Sequence, residues 1–179
     1  MSVFVRYGRV PEVGRFNISL PESLNRSDQV VVRTQRGLEL GELLRDWTPK
    51  PAEQTLSLER VAEELADLKV VRRATTDDLQ RHRELRSLCE AEFETWQDRI
   101  AEWQLELELI DTERTLDGEQ LILYVLNERG PDCTKLSLYA AAGGFGTITV
   151  QPVGIEGMIQ LESSGGCGSG GCGSGGCGH

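Results

Sequence analysis

Apolar and polar positions alternate in short runs over the first 48 residues, then change to the spacing of helices. Val3-Phe4-Val5 opens the pattern, and Gly8, Pro11 and Gly14 mark turns. Phe16, Ile18 and Leu20 alternate with polar neighbours up to Pro21, the period-2 pattern of a half-buried strand. Gln29 to Thr34 is β-branched and predicts a buried strand. Arg36-Gly37 predicts a turn, with Leu38, Leu40 and Leu43 on the returning strand. Strands this short and this numerous predict a small, strongly bent sheet or partial barrel.

Pro49 and Pro51 close that region. Leu56, Leu58, Val61, Leu65 and Leu68 predict a helix over 52–68, after which Lys69-Val70-Val71 returns to extended structure. Thr75 reads as a helix cap with acidic residues in the turn that follows. Leu79, Leu85, Leu88, Cys89, Phe93, Trp96, Ile100 and Trp103 then fall mostly three or four apart, one apolar stripe on a long amphipathic helix. At ~1.5 Å per residue that helix is ~40 Å long. Leu105, Leu107 and Leu109 alternate with glutamates as a strand does, and Asp117-Gly118 predicts a two-residue hairpin turn into Gln120 to Leu126. Pro131-Asp132 opens a second helix, Gly143-Gly144 ends it, and Thr147 to Val150 predicts a final strand stopped by Pro152. The reading is an α+β fold over 1–162: a β-rich part (1–48), a helix (52–68) and a helix-strand-strand-helix-strand unit (75–157). Residues 163–179 form a flexible, disordered Gly/Ser/Cys tail.

Composition sharpens that division. Of 179 residues 20 are glycine, and nine of those fall in Ser163 to His179 with three of the five cysteines. The net charge of −10 is uneven: residues 1–52 sum to +2 and residues 53–128 to −11. An acidic body repels phosphate at long range, which argues against nucleic-acid binding by the whole surface and leaves a local basic patch in the first third. The N-terminus lacks the apolar core of a signal peptide and no run is long enough to span a bilayer, so the expected location is cytoplasmic. In that compartment the tail thiols read as metal ligands or free thiols before disulfides.

The tail is the sharpest chemical feature. Cys167, Cys172 and Cys177 recur every five residues before His179, three thiolates and an imidazole that make the donor set of a zinc site or part of an iron–sulfur site. Against this stand the entropy of ordering glycine and the lack of apolar support, so a plain flexible tail is the alternative. Cys89 reads as a packing residue, Cys133 as packing or a lowered-pKa thiol, and His82, between Arg81 and Arg83, as a solvated helix residue. Gly143 to Gly146 follows a helix and so lacks the strand–loop–helix context of a phosphate loop. No nucleophile–base signature is visible, so no enzyme activity and no small-molecule substrate are expected.

Several short motifs occur in a familiar order. Arg36-Gly37-Leu38-Glu39-Leu40-Gly41 resembles the "RG-x-E-x-G" hairpin of the bacterial RicT/YaaT-like family, which carries a polymerase-suppressor (PSP) C-terminal domain. Arg73-Ala74-Thr75-Thr76-Asp77-Asp78 is similar to that family's "R-x-AT-x-x-D" helix entry, and Thr112 to Gly118 followed by Leu121 to Tyr124 to its next hairpin. The resemblance spans about residues 3–157. It departs at Asp132-Cys133-Thr134, at Phe145, Thr147 and Thr149, at Glu156-Gly157, and in the cysteine block, which the tail replaces. It implies a divergent, non-catalytic adaptor that assembles with small helical proteins, holds an iron–sulfur cluster and supports messenger-RNA maturation by RNase Y. Arg36, Gly37, Glu39 and Gly41, with the long helix, are then the expected docking surface, and Cys167, Cys172, Cys177 and His179 the expected metal site. Two other readings remain: a metal-trafficking or thiol-buffering protein anchored by its body, and an RNA-binding module using the basic first third.

Overall fold

Alternation along β1 (Ser2–Tyr7) turns Val3 and Val5 inward, where they meet Phe16 of β2 (Glu12–Ile18) across an antiparallel ladder. The computed structural model describes residues 1–20, 23–46, 68–126, 131–154 and 157–158. Apart from Leu68, the helix expected over 52–68 lies outside them, as does the tail. β3 (Gln29–Thr34) and β4 (Gly37–Asp46) form a second antiparallel hairpin, and β4 also pairs with β1. β5 (Lys69–Arg73) then inserts between β2, which it meets in parallel, and β3. The bent sheet is thereby a closed five-stranded barrel, ordered β1-β2-β5-β3-β4, around Val3, Val5, Phe16, Val30, Val32, Leu43 and Val70. Closure removes the open edges that short strands would otherwise expose.

The β1–β4 seam is tight enough to dictate a residue. A Cβ on Gly41 would lie 2.5 Å from Val5 Cγ1 and 3.1 Å from the Arg6 carbonyl oxygen. Gly41→Ala is therefore expected to part the seam and cost about 1–3 kcal/mol, read from the urea midpoint.

The long helix forms as its sequence predicts. α1 (Thr76–Glu102) is capped by Thr75, whose Oγ1 accepts from the Asp78 amide while the Asp78 carboxylate accepts from the Thr75 amide. Arg72 of β5 pairs with the same carboxylate, and Arg73 reaches Asp28 (2.8 Å) and the Ser23 carbonyl (3.2 Å). The Arg-x-Ala-Thr stretch is thus a clamp that fixes the helix start to the barrel. Arg72, with help from Thr75, holds the Asp78 carboxyl well below the usual carboxylate range. A lowered folded pKa means that its stabilisation is present above the unfolded value and is lost as acid protonates it in the fold. Thr75→Ala should cost about 1 kcal/mol, and Asp78→Ala should flatten the acid limb of the stability–pH curve measured by thermal unfolding.

Leu85, Cys89, Trp96 and Ile100 carry the buried face of α1, while Leu88 of the expected stripe is exposed. Beneath lies a sheet ordered β6 (Glu108–Arg114), β7 (Gln120–Leu126), β8 (Thr147–Gly154), β9 (Gly157–Met158). α2 (Pro131–Ala142) is the crossover between the parallel strands β7 and β8. It runs antiparallel beside α1: Asp132 accepts from the Glu106 amide, Tyr139 packs on Trp103, and Phe145 just beyond α2 packs on Trp96. Leu121, Leu123 and Val125 face these helices. Ile122 and Tyr124 alternate to the opposite face and are equally buried, so β7 is a central layer with structure on both sides.

Three local expectations are corrected. The strand after α1 begins at Glu108, not Leu105, because α1 runs to Glu102 and a tight turn through Gln104 in a left-handed conformation intervenes. The β6–β7 connection has four residues between Thr115 and Gln120, with Gly118 donating to the Thr115 carbonyl at 2.8 Å, because Thr115 Oγ1 organises a wider turn through Asp117 and the Gln120 amide. Pro152 does not stop the last strand. β9 reaches only Val153 and Gly154, so the flank at Pro152 is an edge where a missing donor is tolerated.

Candidate functional site

The site is the junction where the barrel meets the outer face of the second sheet. It begins with a β-bulge between Leu109 and Asp111, which leaves Ile110 exposed and shifts the side chains after it by one position. Thr112 and Arg114 thereby turn to the helix, bonding the Cys89 carbonyl (3.4 Å) and Glu92 (2.8 Å). Asp111 and Glu113 turn to the barrel. Arg9, in the β1–β2 turn, donates its Nε to Asp111 (2.6 Å) and its amide to Glu113 (2.8 Å). Glu113 also accepts the Tyr124 hydroxyl at 2.7 Å. That hydroxyl explains a tyrosine inside an otherwise aliphatic strand: its ring fills the interface and its oxygen needs a partner.

A second set of groups sits at the β3–β4 turn. Arg36 donates to Glu39 through Nε (3.2 Å) and Nη2 (3.0 Å), and to Glu12 through Nη2 (2.9 Å). Thr34 Oγ1 donates to Glu39 at 2.5 Å and accepts from the Arg36 amide, while the Arg36 guanidinium lies over the Tyr7 ring. The side chains of Arg36 and Glu39 are only 13% and 2% exposed, so this is a buried pair. Burial pushes the Glu39 carboxyl up, although Arg36 and Thr34 pull against it. Burial and the nearby carboxylates raise both the Tyr7 and Tyr124 phenols, which stay protonated.

Gly37 completes the junction. Its φ of +132° is open to glycine, and a Cβ there would come within 3.0 Å of Asp117 Oδ2. The Leu38 amide donates to Asp117 (3.0 Å) and the Leu116 amide to the Leu38 carbonyl (2.6 Å), so the tips of two hairpins are bonded together. Burial alone would raise the Asp117 carboxyl, but Thr115 Oγ1 and the Leu38 and Glu119 amides hold it below the ordinary value. Of the expected docking residues, then, Arg36 and Glu39 meet in one ion pair, Gly37 rests on the second hairpin, and Gly41 lies under β1. Their functional groups face the junction.

Beside it opens a cavity of about 250 Å³, walled by Tyr7, Arg9 and Glu42 from the barrel, His82 and Leu85 from α1, and Thr112 from β6. His82 is therefore a half-buried wall residue, not a solvated one, because the barrel packs against the first turns of α1. Burial lowers its pKa and keeps the ring neutral at neutral pH. Burial raises the thiols of Cys89 and Cys133, so both remain protonated packing groups, and at Cys133 burial and the Asp132 charge outweigh the backbone hydrogen bond at its helix start. Among the described residues no group of three His, Cys, Asp or Glu could hold a metal ion. Cys167, Cys172, Cys177 and His179 lie outside the described residues. Also among the described residues, no helix is long and apolar enough to cross a membrane.

Glu12, Tyr7 and Arg9 carry no signal in the sequence pattern, and Glu113 and Tyr124 stand out there only within the hairpin resemblance. A hydroxyl in an apolar run is the signal that could have found Tyr124 without it.

The family model described as the PSP1 C-terminal conserved region matches residues 68–137, from the start of β5 through the middle of α2. The Arg36 hairpin lies outside that match. No curated protein and no solved structure matches the chain.

Proposed function

We propose that the chain, whose residues 68–137 match the family model described as the PSP1 C-terminal conserved region, is a non-catalytic cytoplasmic adaptor that assembles with protein partners. One observation carries the reading. The densest set of charged and phenolic groups, from Arg36 and Glu39 to Glu113 and Tyr124, is engaged in joining barrel to sheet; of these four only Glu113 lines the adjoining cavity, and its carboxylate already accepts from the Arg9 amide and the Tyr124 hydroxyl. Such a junction makes a rigid body whose output is its surface. The finer proposal is that this assembly supports RNase Y-dependent messenger-RNA maturation.

The tail adds a metal function in this proposal. Three thiols and an imidazole suit zinc or an iron–sulfur cluster, and Cys167, Cys172, Cys177 and His179 would hold it, since the two buried cysteines of the body stand apart as protonated thiols. Replacing the three tail cysteines with serine should remove bound metal, read by elemental analysis after anaerobic purification, while partner binding survives. Loss of metal with no partner ever present would favour the metal-trafficking or thiol-buffering reading.

An RNA-binding reading has one specific observation behind it. Arg33 and Lys69 are exposed and directly opposite on β3 and β5, a like-charge pair that costs sheet stability unless an anion covers it. It predicts salt-dependent RNA affinity, and no measurable binding at low salt removes it. The adaptor reading is tested by isolating the tagged chain from its native cell: a defined set of partners in fixed stoichiometry supports it, and a solitary monomer refutes it.

A further inference from the structure

The outer surface of the helical layer is built against several local preferences at once. Glu94, Asp98 and Glu102 stand four residues apart along α1 and all are exposed, beyond Glu90, which pairs with Arg86 at 3.0 Å. Like charges at that spacing destabilise a helix, and carboxylates in its last turns oppose the helix dipole. Beside this stripe α2 shows solvent an apolar patch: Leu138 is 62% exposed, Tyr139 43% and Phe145 37%. The patch is continuous with α1, since Tyr139 packs on Trp103 at 5.5 Å and Phe145 on Trp96 at 5.3 Å between centroids. Its own cations are engaged. Arg99 lies over the Trp96 and Phe145 rings, and Lys135 pairs with Asp132 at 2.7 Å. What faces outward is apolar and aromatic surface with an acidic margin, on two antiparallel helices joined by aromatic contacts.

We infer that this surface docks a basic amphipathic helix of a partner protein, its apolar side on Leu138, Tyr139 and Phe145 and its lysines or arginines against Asp98 and Glu102. Charge complementarity selects this occupant: a second copy of this chain would bring the same carboxylates against each other. A helix is favoured over a strand because one helix can set apolar anchors at i, i+3, i+4 and i+7 on the patch while its flank presents cations to the carboxylates. The inference rests on the adaptor reading and adds to it the surface and the chemistry of the partner.

The experiment places p-benzoylphenylalanine at position 138 of the full chain in its native cell, with position 13, exposed on β2, as the control site. The cross-linked segment is then sequenced by mass spectrometry. The expected product is a net-positive segment with helical apolar periodicity, joined at 138 and not at 13. In parallel, Leu138→Ser and Asp98→Lys/Glu102→Lys should each reduce the partner recovered at least tenfold without lowering the melting temperature. A cross-link to a second copy, to residues of this same chain or to an acidic segment overturns the inference, as does equal yield at both sites. Undiminished partner recovery with all variants places docking elsewhere and leaves the adaptor reading intact, whereas an unaltered chain that recovers no partner removes that reading itself.

Discussion

Arg36→Met should lower the free energy of unfolding by about 3–5 kcal/mol, because it leaves a carboxylate buried without its partner. Glu39 is almost fully enclosed, and Thr34 alone cannot replace two guanidinium donors. Glu39→Gln should cost less, since Arg36 keeps Glu12 and the amide keeps a carbonyl oxygen for Thr34. The double variant Arg36→Met/Glu39→Leu should recover part of the single loss, as apolar replacement of a whole buried pair often does. The pH dependence of Arg36→Met gives an independent reading. Burial already raises the Glu39 carboxyl, and removing Arg36 raises it further. A carboxyl whose folded pKa lies above its unfolded value favours folding in acid and loses that advantage as pH rises through the folded pKa. The deficit should therefore be smaller in mildly acidic than in mildly alkaline buffer, measured by urea unfolding at each pH. A deficit independent of pH would show that the ion pair is not its origin.

Trp96→Ala should cost a similar amount, about 3–5 kcal/mol, for a different reason. Trp96 is buried in the core shared by α1, α2 and β7, and its ring also receives the edge of Phe145 and the guanidinium of Arg99. Removing it opens a cavity and frees the loop after α2. Trp103→Ala, at the half-buried end of the same helix, should cost clearly less. Urea unfolding distinguishes the two, and equal losses would contradict the placement of the core.

Much of the architecture could be read from local pattern. Val3 and Val5 of β1 follow period-2 alternation, β3 shows itself as a β-branched run with Val30, Val31 and Val32 all buried, and the Thr75 cap and the helical spacing to Trp103 lie within a few turns of chain. Barrel closure was not visible, because β5 pairs in parallel with β2 through Asn17↔Lys69 and Ile18↔Val70, a contact between segments far apart in sequence. The bulge at Ile110 was hidden for a related reason. Alternation identifies faces only while register holds, and one extra residue turns Asp111 and Glu113 to the barrel. The Arg36 to Gly41 stretch was recognisable as a motif, yet its neighbours Asp117 and Tyr124 come from another hairpin. Sequence showed that these residues belong together without showing that they face inward. α2 shows the converse: Leu138 and Tyr139 are as apolar as Leu136 and Ala140, and only the burial of the latter two reveals that Leu138 and Tyr139 face solvent.

The central claim is that this rigid body acts by assembling with other proteins. Light scattering on the chain isolated from its native cell under mild conditions tests it most directly, with the components then identified. The account predicts a mass well above the 19.8 kDa of one chain, made up of this chain and distinct partners in fixed ratio. A homogeneous 19.8 kDa monomer with no associated protein would contradict it.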